Sequence, residues 1–245
     1  MQKVIIIPAR MQSKRFPGKV MHPIAGIPMI VRTWQQAMQV PDCSVYIASD
    51  DMDLLRACHG YSCQVVKTGE HRNGMERCAE AARVLGLRAD DYVLNLQADL
   101  PCIQPWLLEE IFNAVPFYHP HYIVTAAVVV KGIPDADYNL VKIVLDRDGN
   151  ALYFSRQPIP TKTEQWYNHI GVYAMMNTYL QEYANQSISS LEQQEDLEQL
   201  RFLYHGKRKI KVLLTSEDCI SINVPSDIDK LKIYWPDGQV TGHII

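Results

Sequence analysis

Apolar residues along the chain fall into short dense runs separated by longer stretches with helical spacing. Val4-Ile5-Ile6-Ile7 is apolar at every position, which suits a strand covered on both faces at the centre of a parallel sheet. Pro8 ends that ladder. Residues 45–48, 65–66 and 92–96 are further short strand candidates. Between them the spacing predicts helices. One opens at Gly26-Ile27-Pro28-Met29-Ile30, with Ile30, Trp34, Ala37 and Met38 on one face and Pro28 at an early helical position. Another follows Ser49-Asp50-Asp51, where Asp50 reads as a cap rather than a ligand. A third buries Cys78, Ala81, Ala82 and Leu85, and a fourth buries Leu107, Leu108, Ile111, Phe112 and Val115.

The second half is less regular. Residues 123–130 form a long apolar strand, and 140–145 pairs with 151–154 across Asp148-Gly149, a turn-forming pair. Pro158 and Pro160 break the chain before a loop that reaches Trp166, and His169 to Tyr173 resumes as a strand. A helix is predicted over 191–204, with Leu197, Leu200 and Tyr204 on one side and carboxylates on the other. A strand over 209–214 and a last helix from Pro225 through Trp235 complete the pattern. Alternating strands and helices of these lengths predict right-handed crossovers. The expected fold is α/β: a mainly parallel twisted sheet with helices on both faces and a small antiparallel insertion. Residues 1–245 read as a single domain, with an inserted dimerisation or substrate portion around 135–190.

Composition narrows this picture. A net charge of −3 argues against a general nucleic-acid binder, whose affinity comes from neutralising phosphates. Any anion site is therefore local. The six cysteines show no C-x-x-C spacing and no clustering with histidine, so reduced thiols are expected rather than a zinc site or disulfides. No apolar run approaches the length of a membrane span, and the first strand starts too close to Met1 for a signal peptide. The cytoplasm is the expected compartment, without membrane insertion.

Candidate chemistry begins directly after the first strand. Arg10, Lys14, Arg15 and Lys19 lie on one loop with Ser13 and Gly18, leaving the carboxyl end of a central strand, where open α/β sheets bind ligands. Spaced cations with a glycine for close backbone approach suit a polyphosphate; the alternative is a solvated loop. The loop matches neither the Walker A pattern nor the Rossmann glycine pattern. Gln97-Ala98-Asp99 follows the fourth strand and sets a carboxylate at the same edge. Asp99 is either a cap for the next helix or a hard oxygen ligand for Mg²⁺ beside the phosphates.

Pro8-Ala9-Arg10-x-x-Ser13-x-Arg15-x-Pro17-Gly18-Lys19 resembles the signature loop of the nucleotidylyltransferases that activate acidic sugars with CTP, most closely the 3-deoxy-manno-octulosonate (Kdo) cytidylyltransferase family. The resemblance continues almost to the C-terminus, through Asn73 to Arg77, Gln97 to Pro101, 141–146, 151–156, His169 to Tyr173 and Leu197 to Arg201. It implies a nucleotide-diphospho-sugar transferase-like fold and a homodimer whose substrates are CTP and an acidic small-molecule acceptor. It implies that Pro8, Ala9, Arg10, Ser13, Arg15, Lys19, Gly74, Arg77 and Gln97 contact the nucleotide. Gln97, His169, Tyr173, Glu198 and Gln199 would contact the acceptor; from the residues alone, His169 reads as structural and Glu198 and Gln199 as a solvated helical face. Arg10, Lys19 and Asp99 would be catalytic, with Mg²⁺ held by Asp99 and Asn223.

The chain departs from the family pattern at several of these positions. Ala98 replaces a glycine, Leu100 an acidic or polar residue, Asn73 and Met75 two hydroxyl residues, and Asn223 the aspartate that is the second metal ligand. An amide oxygen can coordinate Mg²⁺ but supplies no charge, so metal affinity should fall. The implied reaction is transfer of CMP from CTP to a hydroxyl of Kdo or a close analogue, with release of pyrophosphate. The departures leave two alternatives open: a different anionic acceptor, such as an amino-Kdo, another 2-keto acid or a phosphonate, or a weakly active nucleotide-binding homologue.

Overall fold

The structure, a computed structural model, describes residues 1–13, 15–118, 121–217 and 219–235. Lys14 of the basic loop lies outside the described residues. In chain order the elements are β1 (Lys3–Pro8), β2 (Pro23–Ile24), β3 (Ile27–Pro28), α1 (Met29–Ala37), β4 (Cys43–Ser49), α2 (Met52–Gly60), β5 (Gln64–Lys67), α3 (Gly74–Val84), β6 (Tyr92–Leu96) and α4 (Pro105–Tyr118). They continue with β7 (Tyr122–Lys131), β8 (Lys142–Leu145), β9 (Ala151–Ser155), β10 (Gln165–Met176), α5 (Asn177–Ala184), α6 (Ser190–Glu195), α7 (Leu200–His205) and β11 (Lys209–Thr215). Short 3-10 helices span Lys19–Met21 and Pro225–Ile233.

A nine-stranded sheet runs in the order β11-β7-β10-β6-β1-β4-β5, with β8 and β9 extending it beside β10, while β2 and β3 pair separately. The pairings β1–β4, β1–β6, β4–β5 and β7–β11 are parallel. Strand β10 runs antiparallel to β6, β7 and β8. Ile5, Ile6 and Ile7 are each 0% exposed, and successive strand residues point to opposite faces. The sheet is therefore covered on both sides, as the unbroken apolar run requires.

Several local expectations shift. Asp51, not Asp50, caps α2, accepting from the amides of Asp53 and Leu54; Asp50 pairs with Arg77 instead. Pro28 is the residue before α1 rather than inside it, and Met38 is exposed at its end. Trp166 already belongs to β10 and is buried. The helix expected over 191–204 is two short helices, because Asp196 takes the left-handed conformation and ends α6. Periodicity does not reveal such a break, since non-glycine residues seldom adopt that conformation. Tyr204 is consequently exposed, and the turn between α6 and α7 carries Glu198 and Gln199 inward.

A smaller apolar cluster lies apart from the main core. Phe16 of the basic loop, Ile24, Met29, Cys102, Ile222 and Leu231 are buried together. Each large side chain buried there contributes about 1.5–3 kcal/mol. The cluster joins the loop after β1, the segment after β6 and the C-terminal segment. All three carry predicted site residues.

Candidate active site

The parallel pairing of β1 and β6 puts the basic loop and Gln97-Ala98-Asp99 at one edge. Gly18 turns the loop with φ 69°, a conformation that an L side chain resists. Lys19 follows, and its Nζ lies 2.6 Å from Asp99 Oδ2 and 2.7 Å from the Ile222 carbonyl. The backbone closes the same contact, since the Ile222 amide donates to the Asp99 carbonyl at 3.0 Å. Arg15 donates through Nη2 to Asn223 Oδ1 at 3.2 Å and through Nη1 to Asn139 Oδ1. Asp227 holds Asn223 in place, accepting from its backbone amide at 2.8 Å and from that of Val224 at 3.0 Å.

Arg10 is exposed and makes no ion pair among the described residues. Ser13 accepts from the Phe16 amide at 3.3 Å, bracing the loop. Ala98 sits at negative φ, so its Cβ causes no strain, and its carbonyl accepts from Thr33. Leu100 is buried in the main core. Asp99, Asn223 and the Ile222 carbonyl form a set of hard oxygen donors with a single carboxylate, which fits a hard cation that draws its remaining ligands from phosphate.

The second half of the cleft is built on β10 and the α6–α7 turn. Gln97 is closely framed: a Cβ on Gly171 would lie 3.0 Å from Gln97 Cγ, and one on Gly74 would lie 3.1 Å from Pro8 Cγ and 3.2 Å from Gln97 Nε2. Held there, Gln97 donates to Glu198 Oε1 at 3.0 Å, and the Met75 amide donates to Glu198 Oε2 at 2.9 Å. Burial pushes the Glu198 carboxyl up to about 7, against the Met75 hydrogen bond that favours its charge. Glu198 is therefore part of the cleft wall, not a solvated helical face. His169 packs against Phe154 and Tyr173 at centroid distances of 5.1 and 5.2 Å. Burial lowers its pKa to about 3, which keeps the ring neutral.

Two predicted contact residues stand back from the opening. The Arg77 guanidinium is buried and turned to Asp50 at 2.9 Å, Thr68 Oγ1 at 2.7 Å and the Gly69 carbonyl at 3.1 Å. These contacts tie Arg77 to the segments around Asp50 and Gly69. Gln199 is 2% exposed, and its Nε2 has no partner among the described residues.

Residues outside the predicted set support the wall. Fully buried Arg201 reaches Glu192 at 2.7 Å and Glu76 at 3.0 Å. Burial opposes its charge, yet these hydrogen bonds raise its pKa. Asn73 caps α3 and also donates to Tyr183 and Glu192, tying that helix to the same network. Lys142, 0% exposed, donates to the carbonyls of Asp137, Leu140 and Arg156, which anchors the segment that presents Asn139. Arg201 ends a stretch already singled out by resemblance, whereas nothing local marks Asn139.

The sequence pattern of the Cytidylyltransferase family matches residues 4–210. The chain belongs to the cytidylyltransferase family. This cytidylyltransferase is 40% identical to the 3-deoxy-manno-octulosonate cytidylyltransferase of Chlorobium limicola, over 95% of its own length and 96% of the relative's. It is 39% identical to the Helicobacter pylori protein of the same name, over 96% and 98%. Among solved structures it resembles a CMP:2-keto-3-deoxy-manno-octonic acid synthetase complexed with CTP. That match has a TM-score of 0.85 and 30% identity, covering 96% of this chain and 98% of that one. No helix of the described cytidylyltransferase is long and apolar enough to cross a membrane.

Proposed function

We propose that the chain transfers CMP from CTP to a hydroxyl of 3-deoxy-manno-octulosonate. The acceptor oxygen bonds to the α-phosphorus, the bond from that phosphorus to the bridging oxygen breaks, pyrophosphate leaves and the acceptor hydroxyl loses its proton. One observation carries this reading: Lys19 and Arg15 of the basic loop meet Asp99 and Asn223 at one sheet edge. Catalysis of this kind is mainly positioning and charge neutralisation.

Arg10, Arg15 and Lys19 hold the triphosphate, with Pro8, Ala9, Ser13 and Gly74 shaping the backbone around it. To do so, Lys19 exchanges Asp99 for phosphate oxygen, and Arg15 leaves the amides of Asn139 and Asn223. Asp99 and Asn223 hold Mg²⁺, which when bound neutralises charge at the phosphates. Gln97, His169, Tyr173 and Glu198 orient the acceptor, and Gln199 lies behind them. The chain acts as one cytoplasmic domain and as a homodimer, and the portion around 135–190 supplies acceptor and subunit contacts. Ile133, Tyr138 and Leu152 expose apolar surface in or beside that portion.

The test is release of pyrophosphate from CTP across a series of acidic sugars and phosphonates, with other nucleoside triphosphates as controls. Turnover is expected with Kdo, and turnover only with another acid would reassign the acceptor. CTP binding without turnover for any acceptor would retire the reading in favour of a nucleotide-binding homologue. In the same assay Asn223→Asp is expected to lower the Mg²⁺ concentration for half-maximal rate about tenfold, because a carboxylate replaces a neutral amide oxygen.

A further inference from the structure

Strand β10 leaves its register with β7 between Ile170 and Tyr173, and a buried hydroxyl fills the irregularity. Thr125 on β7 is 0% exposed. Its Oγ1 lies 2.6 Å from the Val172 carbonyl, 3.5 Å from the Ile170 carbonyl and 3.0 Å from His169 Nε2. A threonine hydroxyl has one proton to give and lone pairs to accept with. The short contact to Val172 takes that proton, because a carbonyl can only accept. The hydroxyl then meets His169 as an acceptor, so Nε2 carries the ring proton. A neutral imidazole protonated at Nε2 presents a lone pair at Nδ1. Nδ1 has no hydrogen-bond partner among the described residues, and the ring is held between Phe154 and Tyr173. The irregularity also places Gly171 against Gln97, whose backbone amide donates to the Gly171 carbonyl at 3.3 Å. One feature of β10 thus aims two groups of the cleft.

We propose that Thr125 is a positioning residue for the acceptor substrate. By accepting the Nε2 proton it fixes the tautomer of His169 and leaves Nδ1 to receive a hydrogen bond from an acceptor hydroxyl. This rests on the placing of His169 in the acceptor site under the proposed function. The tautomer itself does not depend on that reading.

The full chain labelled with ¹⁵N-histidine reports the protonated ring nitrogen by NMR, with the His169 signals assigned by their loss in His169→Asn. The wild-type chain is expected to show the Nε2–H form, and Thr125→Ser is expected to keep it. Thr125→Val is expected to mix the tautomers and raise the acceptor KM about tenfold, the worth of one hydrogen bond at a neutral group, with the KM for CTP unchanged. A wild-type proton on Nδ1 overturns the proposal, as does a Thr125→Val chain whose tautomer and acceptor KM both match wild type. An altered tautomer with an unchanged acceptor KM separates His169 from the acceptor and overturns the functional half. If Thr125→Val does not fold, Thr125→Ala takes its place, and the wild-type spectrum still decides the tautomer.

Discussion

The two halves of the cleft are organised by opposite physics. On the basic-loop side, charged groups at partly or fully exposed positions pair with one another or donate to neutral amide oxygens, as in Lys19 with Asp99 and Arg15 with Asn139 and Asn223. Under the proposed function those partners are exchanged when a triphosphate binds. On the β10 side the groups are desolvated and already aimed: a glutamate raised by burial, a histidine kept neutral and a glutamine framed by two glycines. On that proposal, one half is tuned for charge that arrives with the ligand. The other is built before any ligand binds.

The sharpest way to break this comparison is to remove one charged group from each half. Under the proposed function Asp99→Ala is expected to lower turnover about a thousandfold, on the scale of losing preorganised charge at a reacting centre. Its effect on unfolding should be the smaller of the two, about 2 kcal/mol, because Lys19 keeps the Ile222 carbonyl as a partner. Arg201→Met should do the reverse. It leaves Glu76 and Glu192 buried without their shared cation, which costs about 4 kcal/mol and lowers Tm by roughly 10 °C. Turnover and thermal unfolding measured on both variants check the pair. A large stability loss in the first, or none in the second, would dissolve the distinction.

A smaller effect sharpens it. Because Glu198 is raised from its ordinary 4.5 to about 7, the folded chain holds that proton more tightly than the unfolded one. The stability this contributes is fully present below about 4.5 and is lost as pH rises through about 7. Glu198→Gln removes that dependence. The variant is expected to gain on the order of 2 kcal/mol relative to wild type between pH 5 and pH 8, read from denaturant unfolding at each pH. A constant difference across that range would mean that the carboxyl is not desolvated.

Much of the fold was legible before the structure, because each signal needed only sequence neighbours. The run Val4 to Ile7, the face Leu107 to Val115 and the turn at Asp148-Gly149 all became the predicted elements. The basic loop and Asp99 were readable for the same reason, since each directly follows a buried strand. What stayed hidden involved pairs distant along the chain. Asp50 looked like a cap because capping is local, whereas its actual partner Arg77 sits on another helix. Glu198 and Gln199 looked solvated because helical periodicity continued through Asp196, and a left-handed aspartate breaks the helix without altering that pattern.

The sequence by itself determined most of the strands and helices, where cations and a carboxylate leave the strand ends, and which family the chain resembles. Only the tertiary structure decided what those groups do to one another. Lys19 and Asp99 are 80 positions apart, Gln97 and Glu198 are 101, Thr125 and His169 are 44. Protonation, tautomer and charge pairing depend on which groups are brought together and how much water is removed from around them, and that is a property of packing rather than of order along the chain.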